Sequence, residues 1–188
     1  MSKNSNVILI DIDGVACEHA KAICEVVNKD YGTKANINDV TTWDHNFGPI
    51  TFTQAVDKYY PNNDFILSMD VSYGFHAFLK EIGKILTIKF ASNRKKYCHD
   101  ATMQWVKKHF GDCFKISFID KKINLVKFDY IIDDSLSEVL LSINAGKIGF
   151  LMKRPWNNNN DTIKCLSQLE NAYFIDDFPQ IIQIIKGR

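Results

Sequence analysis

Four carboxylates in this 188-residue chain fall into two close pairs, Asp11-Ile12-Asp13 and Asp133-Asp134. Each pair follows an apolar run, Val7 to Ile10 in one case and Tyr130 to Ile132 in the other. Continuous apolar runs of this kind suit strands covered on both faces. Asp11 and Asp13 stand two positions apart, so extended geometry turns both toward the same side. Gly14 then permits a sharp turn. Acids gathered in one place repel one another, so a cation is expected among them. Hard oxygen ligands suit Mg²⁺, which also accepts phosphate oxygens. Two further apolar runs end in polar groups, Ser92-Asn93-Arg94 and Asp120-Lys121-Lys122. A hydroxyl, an amide and a lysine beside paired carboxylates form a set for phosphoryl transfer. One carboxylate attacks phosphorus to give an acyl phosphate. A metal and a lysine offset the anionic repulsion. A second carboxyl group protonates the leaving oxygen and later activates water.

These residues meet only if the strands that end in them lie side by side. The pattern predicts strands at 7–10, 85–91, 114–119, 130–132, 147–152 and 173–175. Helices are predicted over 18–31, 73–82, 98–110, 136–145, 163–169 and 179–185. Such alternation implies right-handed βαβ units and a helix-covered parallel sheet. The fold class expected is α/β, a three-layer Rossmann-like sheet, with ligands beyond the carboxyl ends of the strands. The stretch 33–70 is rich in Asn, Thr, Asp and aromatics, with Pro49 and Pro61 as breakers. It reads as short helices and loops. The expected division is a core of 1–15 and 77–188, with a small helical cap, 16–76, inserted after the first strand.

At this point the strand ends resemble the four signature motifs of the haloacid dehalogenase superfamily in its phosphatase form. Ile8-Leu9-Ile10-Asp11-Ile12-Asp13-Gly14-Val15 is similar to the first motif and Phe90-Ala91-Ser92-Asn93-Arg94 to the second. Lys121 or Lys122 resembles the third, and Ile131-Ile132-Asp133-Asp134 the fourth. The resemblance narrows to the 5'(3')-deoxyribonucleotidase family. Its marks are Trp43-Asp44 in the insert, the amphipathic helix after the second motif, and Arg154-Pro155-Trp156-Asn157. That likeness implies Mg²⁺-dependent removal of phosphate from nucleoside monophosphates, with deoxy substrates preferred. It implies Asp11 as nucleophile and Asp13 as general acid and base. The implied Mg²⁺ ligands are Asp11, the Asp13 carbonyl and one of Asp133 and Asp134, with Asp134 favoured. Ser92 and Asn93 are the implied phosphate-binding groups, with Lys121 the first choice for the lysine and Lys122 the second. The cap aromatics Trp43, Phe47 and Phe52 are candidates for stacking on a base. Arg94 either guides an anionic substrate or pairs with an acid.

Several other features have plainer readings. Asp176-Asp177 also follows a strand, but it precedes Pro179 and reads as a helix cap. Trp105 reads as core, and Asn157 to Asn160 as a surface loop. Trp156 either closes one side of the site or packs, and no histidine is assigned a role. The five cysteines, Cys17, Cys24, Cys98, Cys113 and Cys165, have neither zinc spacing nor a C-x-x-C pair. They suit a reducing compartment. Lys and Arg number 23 against 22 Asp and Glu. That balance argues against a polymeric nucleic-acid partner. No run approaches a membrane span and residues 1–6 carry no signal pattern, so a cytoplasmic location is expected. The expected partner is a small-molecule nucleotide, with the protein a monomer or a homodimer. Two alternatives remain open: a phosphatase of another small ester such as a sugar phosphate, and a receiver-like domain phosphorylated on Asp without turnover. Asp13 and the long insert distinguish the chain from a receiver.

Overall fold

The computed structural model describes residues 6–125 and 127–188. Six strands, β1 (Val7–Asp11), β2 (Thr87–Ser92), β3 (Ile116–Phe118), β4 (Tyr130–Asp133), β5 (Ile148–Met152) and β6 (Ala172–Ile175), form one sheet. Their order is β3-β2-β1-β4-β5-β6. Every pairing is parallel, with Ile10 opposite both Phe90 and Ile132. The alternation of side chains sends Ile8, Ile10, Phe90, Ile132 and Phe150 to one face and Leu9, Ala91 and Ile131 to the other.

The first face is covered by α4 (Phe75–Ile82), α5 (His99–Phe110) and α8 (Phe178–Lys186), whose Phe75, Phe78, Trp105, Ile181 and Ile185 share its core. Over the other face lie α6 (Leu136–Asn144) and α7 (Asn160–Ser167), through Val139, Leu151 and Leu166. Between β1 and α4 run α1 (His19–Tyr31), α2 (Phe52–Tyr59) and α3 (Asn63–Ser68). α1 and α2 enclose an apolar cluster of their own, with Ile23, Val27, Phe52 and Ala55. α3 instead sends Ile66 into the main core. The packing therefore divides the insert rather than following its ends in sequence.

Element ends shift where local hydrogen bonding decides them. Asn159 accepts the Thr162 N–H, so α7 begins at Asn160, ahead of the predicted 163. Asn157, read from sequence as loop surface, is buried. Asp177 caps α8 by accepting the Gln180 N–H, as its place before Pro179 predicts. Ser135 sits at the N-cap of α6, but its hydroxyl makes no capping bond and pairs with Ser137 instead. No helix among the described residues is long and apolar enough to cross a membrane.

Trp105 is fully buried, and its indole N–H donates to the Met69 carbonyl at 2.8 Å. It fastens the last turn of the insert to α5. Trp105→Ala is expected to cost about 3–5 kcal/mol in urea unfolding, from lost burial and an empty cavity.

Candidate active site

The three central strands β2, β1 and β4 end side by side, which brings Ser92, Asp11 and Asp133 to one edge. After β3 the chain makes a 3-10 turn, Lys122–Asn124, and its first residue turns inward. Lys122 is 3% exposed, and its ammonium donates to Asp11 Oδ1 and to Asp133 Oδ2, each at 2.6 Å. The Lys122 N–H donates to Glu138 Oε2 on α6 at 2.9 Å, which holds the turn. Lys121, the first choice on sequence, is exposed at the turn's N-cap, so the lysine beside the carboxylates is Lys122. The correction is one of turn geometry: only the first residue inside the turn points under the sheet edge.

Asp134 completes a buried trio, because oxygens of Asp11, Asp133 and Asp134 all lie within 4.8 Å of one another. Burial pushes the Asp11 carboxyl up to about 7 despite the attraction of Lys122. Burial, followed by the charges of Asp11 and Asp133, pushes Asp134 well above the carboxylate range. For Lys122, burial opposes the charge, yet the two carboxylates outweigh it and hold the ammonium above its usual range. One lysine therefore faces three acids. An oxygen-rich site of three crowded carboxyls fits a hard divalent cation, which would displace the protons that burial holds there. The two motif acids differ in what remains free. Asp133 spends Oδ2 on Lys122 and Oδ1 on the Ser135 N–H. Asp134 Oδ2 accepts the Trp156 indole N–H at 3.0 Å, and its Oδ1 has no hydrogen bond from the described residues. Asp134 is thus the better placed of the two to bind a metal.

Asp13 has a different environment. Arg94 grips it with two bonds, Nε to Oδ2 at 2.8 Å and Nη2 to Oδ1 at 2.6 Å. The Tyr60 hydroxyl donates to Oδ1 at 2.9 Å. Burial alone would raise the Asp13 pKa, but Arg94 outweighs it and holds the carboxyl well below the usual range. Arg94 is itself buried, and its third nitrogen donates to Thr102. Of its two sequence readings, the geometry matches pairing with an acid. Ser92 is buried, and its hydroxyl accepts the Arg94 N–H at 3.2 Å. Asn93 is exposed beside it.

A cavity of about 320 Å³ opens beside Asp13, walled by His19, Trp43, Phe52, Tyr60, Asn93 and Arg94. Trp43, 45% exposed, stacks on His19 with ring centres 6.0 Å apart. Phe47 is not on this wall. It packs against His45 and Phe52 at the edge of the cap cluster.

Other residues reach the site in roles that the sequence does not assign them. His19 is buried in the aromatic wall with Nδ1 unpartnered among the described residues, and burial lowers its pKa. Nothing in its sequence neighbourhood sets it apart. Arg154 Nε donates to the Gly14 carbonyl at 2.6 Å, and Asn157 Nδ2 donates to the Asp134 carbonyl at 2.8 Å. The segment of Arg154 to Asn157 was noticed in sequence, and its position just beyond β5, at the same sheet edge, is the signal for its role. Gly14, at φ +74°, is required for a second reason as well: a Cβ there would collide with the Asp134 carboxylate.

Lys122→Ala leaves two buried carboxylates without their shared cation. It is expected to cost about 3–5 kcal/mol in urea unfolding of the metal-free protein. Lys121→Ala, at the exposed neighbour, is expected to unfold like wild type.

No curated protein matches the chain in sequence. Solved structures match its fold. A haloacid dehalogenase family hydrolase from Deinococcus radiodurans, crystallised with phosphate and sodium, aligns over 94% of this chain and 93% of its own. The TM-score is 0.62 at 13% identity. A haloacid dehalogenase-like family hydrolase from Streptococcus pneumoniae gives 0.63 at 12% identity, covering 96% of this chain and 98% of that one. A predicted phosphoglycolate phosphatase from Haemophilus somnus gives 0.58 at 15% identity, covering 98% and 100%. The family model described as "5' nucleotidase, deoxy (Pyrimidine), cytosolic type C protein" matches residues 5–177. That match spans all four strand-end motifs, the cap and the Arg154 to Asn157 segment, and the chain belongs to this nucleotidase family.

Proposed function

We propose that the protein is a Mg²⁺-dependent phosphatase of (deoxy)ribonucleoside monophosphates, acting in the cytoplasm through an aspartyl phosphate on Asp11. The observation that carries this reading is the arrangement of Asp11, Lys122, Asp133 and Asp134 at one sheet edge, beside an aromatic cavity. Family membership supports a phosphomonoesterase, and the family description supports the nucleotide and the cytosolic setting. Asp11 and Asp134, with the Asp13 carbonyl, are the residues proposed to hold the ion. When bound, Mg²⁺ supplies positive charge that screens the phosphate from the nucleophile.

Asp11 attacks phosphorus, and the bond from phosphorus to the ester oxygen breaks. Asp13 donates a proton to the departing nucleoside oxygen. Asp13 then takes a proton from water, which attacks the acyl phosphate and frees Asp11 and inorganic phosphate. Lys122 opposes the upward push of burial on Asp11 and so favours its ionised form, and Ser92 and Asn93 donate to the phosphoryl oxygens. The Arg94 fork favours ionised Asp13, which suits its work as a base. Its work as an acid requires the fork to loosen when the phosphate dianion enters. The aromatic wall supports a planar base as the group that lies beyond the phosphate.

The test is phosphate release over nucleoside monophosphates and sugar phosphates, with Mg²⁺ and after chelation. At least one nucleotide is expected to turn over, with activity lost on chelation. Asp11→Asn is expected to lower the rate by about 1,000-fold or more, with unchanged unfolding. Near-wild-type turnover by that variant overturns the mechanism. Sugar phosphates far better than every nucleotide overturn the substrate.

A further inference from the structure

Trp156 touches two parts of the site. Its indole N–H donates to Asp134 Oδ2 at 3.0 Å. Its ring belongs to the cap cluster with Ile23, Val27 and Phe52. Its ring centre lies 5.2 Å from that of Trp43 and 5.8 Å from that of His19, the two residues stacked along the cavity wall. Trp43 and Trp156 together also line a second cavity, of about 320 Å³, that opens on Asp134. Trp156 is 9% exposed, with its ring packed against those of Trp43 and His19.

An indole carries a single donor. While that donor rests on Oδ2, it sets the plane of the Asp134 carboxylate and leaves Oδ1 for a cation. Asn157 fixes the same residue through its main chain, donating to the Asp134 carbonyl. Groups that orient a ligating carboxylate in this way typically control metal affinity by about 10–100-fold. The sequence reading left Trp156 undecided between closing the site and packing, and the geometry has it doing both.

We propose that Trp156 is a positioning residue that couples the cation held at Asp134 to the occupant of the cap cavity. A planar group stacked on Trp43 and His19 orders the aromatic wall, and the wall orders the indole that orients Asp134. Ordering one end lowers the cost of ordering the other, so each ligand strengthens the other. The identity of the occupant rests on the nucleotide reading. The orientation of Asp134 does not.

The test is calorimetric titration of the metal-free full chain with Mg²⁺, alone and with a saturating product nucleoside. Wild type is expected to bind Mg²⁺ about five-fold more tightly with the nucleoside present. Trp156→Phe keeps an apolar ring in the cluster and removes the N–H. It is expected to bind Mg²⁺ about ten-fold more weakly than wild type, with no enhancement by nucleoside. Trp43→Ala removes the ring packed against Trp156 and is expected, at nucleoside concentrations that saturate the variant, to lose the enhancement. It carries the coupling test if Trp156→Phe does not fold. Unchanged Mg²⁺ affinity in Trp156→Phe, or an enhancement that survives in either variant, overturns the proposal and leaves the nucleotide reading standing. Wild type that binds Mg²⁺ but no nucleoside overturns the coupling and the nucleotide reading together.

Discussion

The structure depends on how one buried ammonium is shared. Lys122 sits between Asp11 and Asp133 at 2.6 Å from each, and all three are nearly sealed from solvent. Taking three charges out of water is costly, and such a site persists only when every charge is paired with good geometry. Around it the fold supplies the pairing. Three parallel strands end at one level, a 3-10 turn tips Lys122 inward, and Glu138 holds that turn by its backbone. Asp134 adds a third carboxyl for which the fold supplies no cation, and burial with its two acidic neighbours holds its pKa well above the carboxylate range. That extra acid distinguishes the site from a structural salt bridge and suits a divalent ion that would displace the proton.

Two arginines do for the neighbouring loop what Lys122 does for the strand ends. Arg94 clamps the Asp13 carboxylate, while Arg154 holds the Gly14 carbonyl one residue later. Both come from segments far along the chain, one after β2 and one after β5, so the loop that carries Asp13 is tied to both sides of the sheet. Such ties hold the loop backbone in one place, so that any adjustment on substrate arrival is confined to side chains. The tie on Asp13 has a chemical consequence as well. A carboxylate gripped by a guanidinium is a poor proton donor, so in the proposed reaction the entering phosphate competes for that same arginine before the acid half runs.

Much of this was legible in the chain. The strands show as apolar runs because a central parallel strand is buried on both faces, and the site shows because polar residues end those runs. The paired acids, Ser92 and the capping role of Asp177 follow from residue type and spacing alone. What stayed hidden depends on turns and on distant packing. Lys121 and Lys122 are indistinguishable by composition, and only the 3-10 turn separates an exposed lysine from a buried one. Phe47 and Trp43 are both cap aromatics, yet the cavity takes Trp43 alone of the two. Arg94 looked equally suited to substrate or acid until Asp13, 81 positions away in sequence, was placed against it. His19 carried no signal, since a histidine in an amphipathic helix looks the same whether it faces a cavity or a core.

The aromatic wall bears on which ester suits the site. A phosphate needs only the strand ends, and a small polar ester would use nothing beyond them. Here the cavity beside Asp13 measures about 320 Å³ and is walled by Trp43, Phe52, Tyr60 and the imidazole of His19. That volume lies at the lower end of the range typical of small-molecule sites. Trp43 packs on His19, Phe52 and Trp156 and still leaves part of its face open to the cavity, where a flat ligand group would bury it. A sugar presents mainly hydroxyls to such a face, whereas a base presents a flat π-surface that stacks regardless of its hydrogen-bonding edge. The same wall reaches Trp156 and through it Asp134. A group large enough to cover Trp43 is therefore felt at the metal side, while a small ester that fills only the phosphate end leaves that aromatic contact unused.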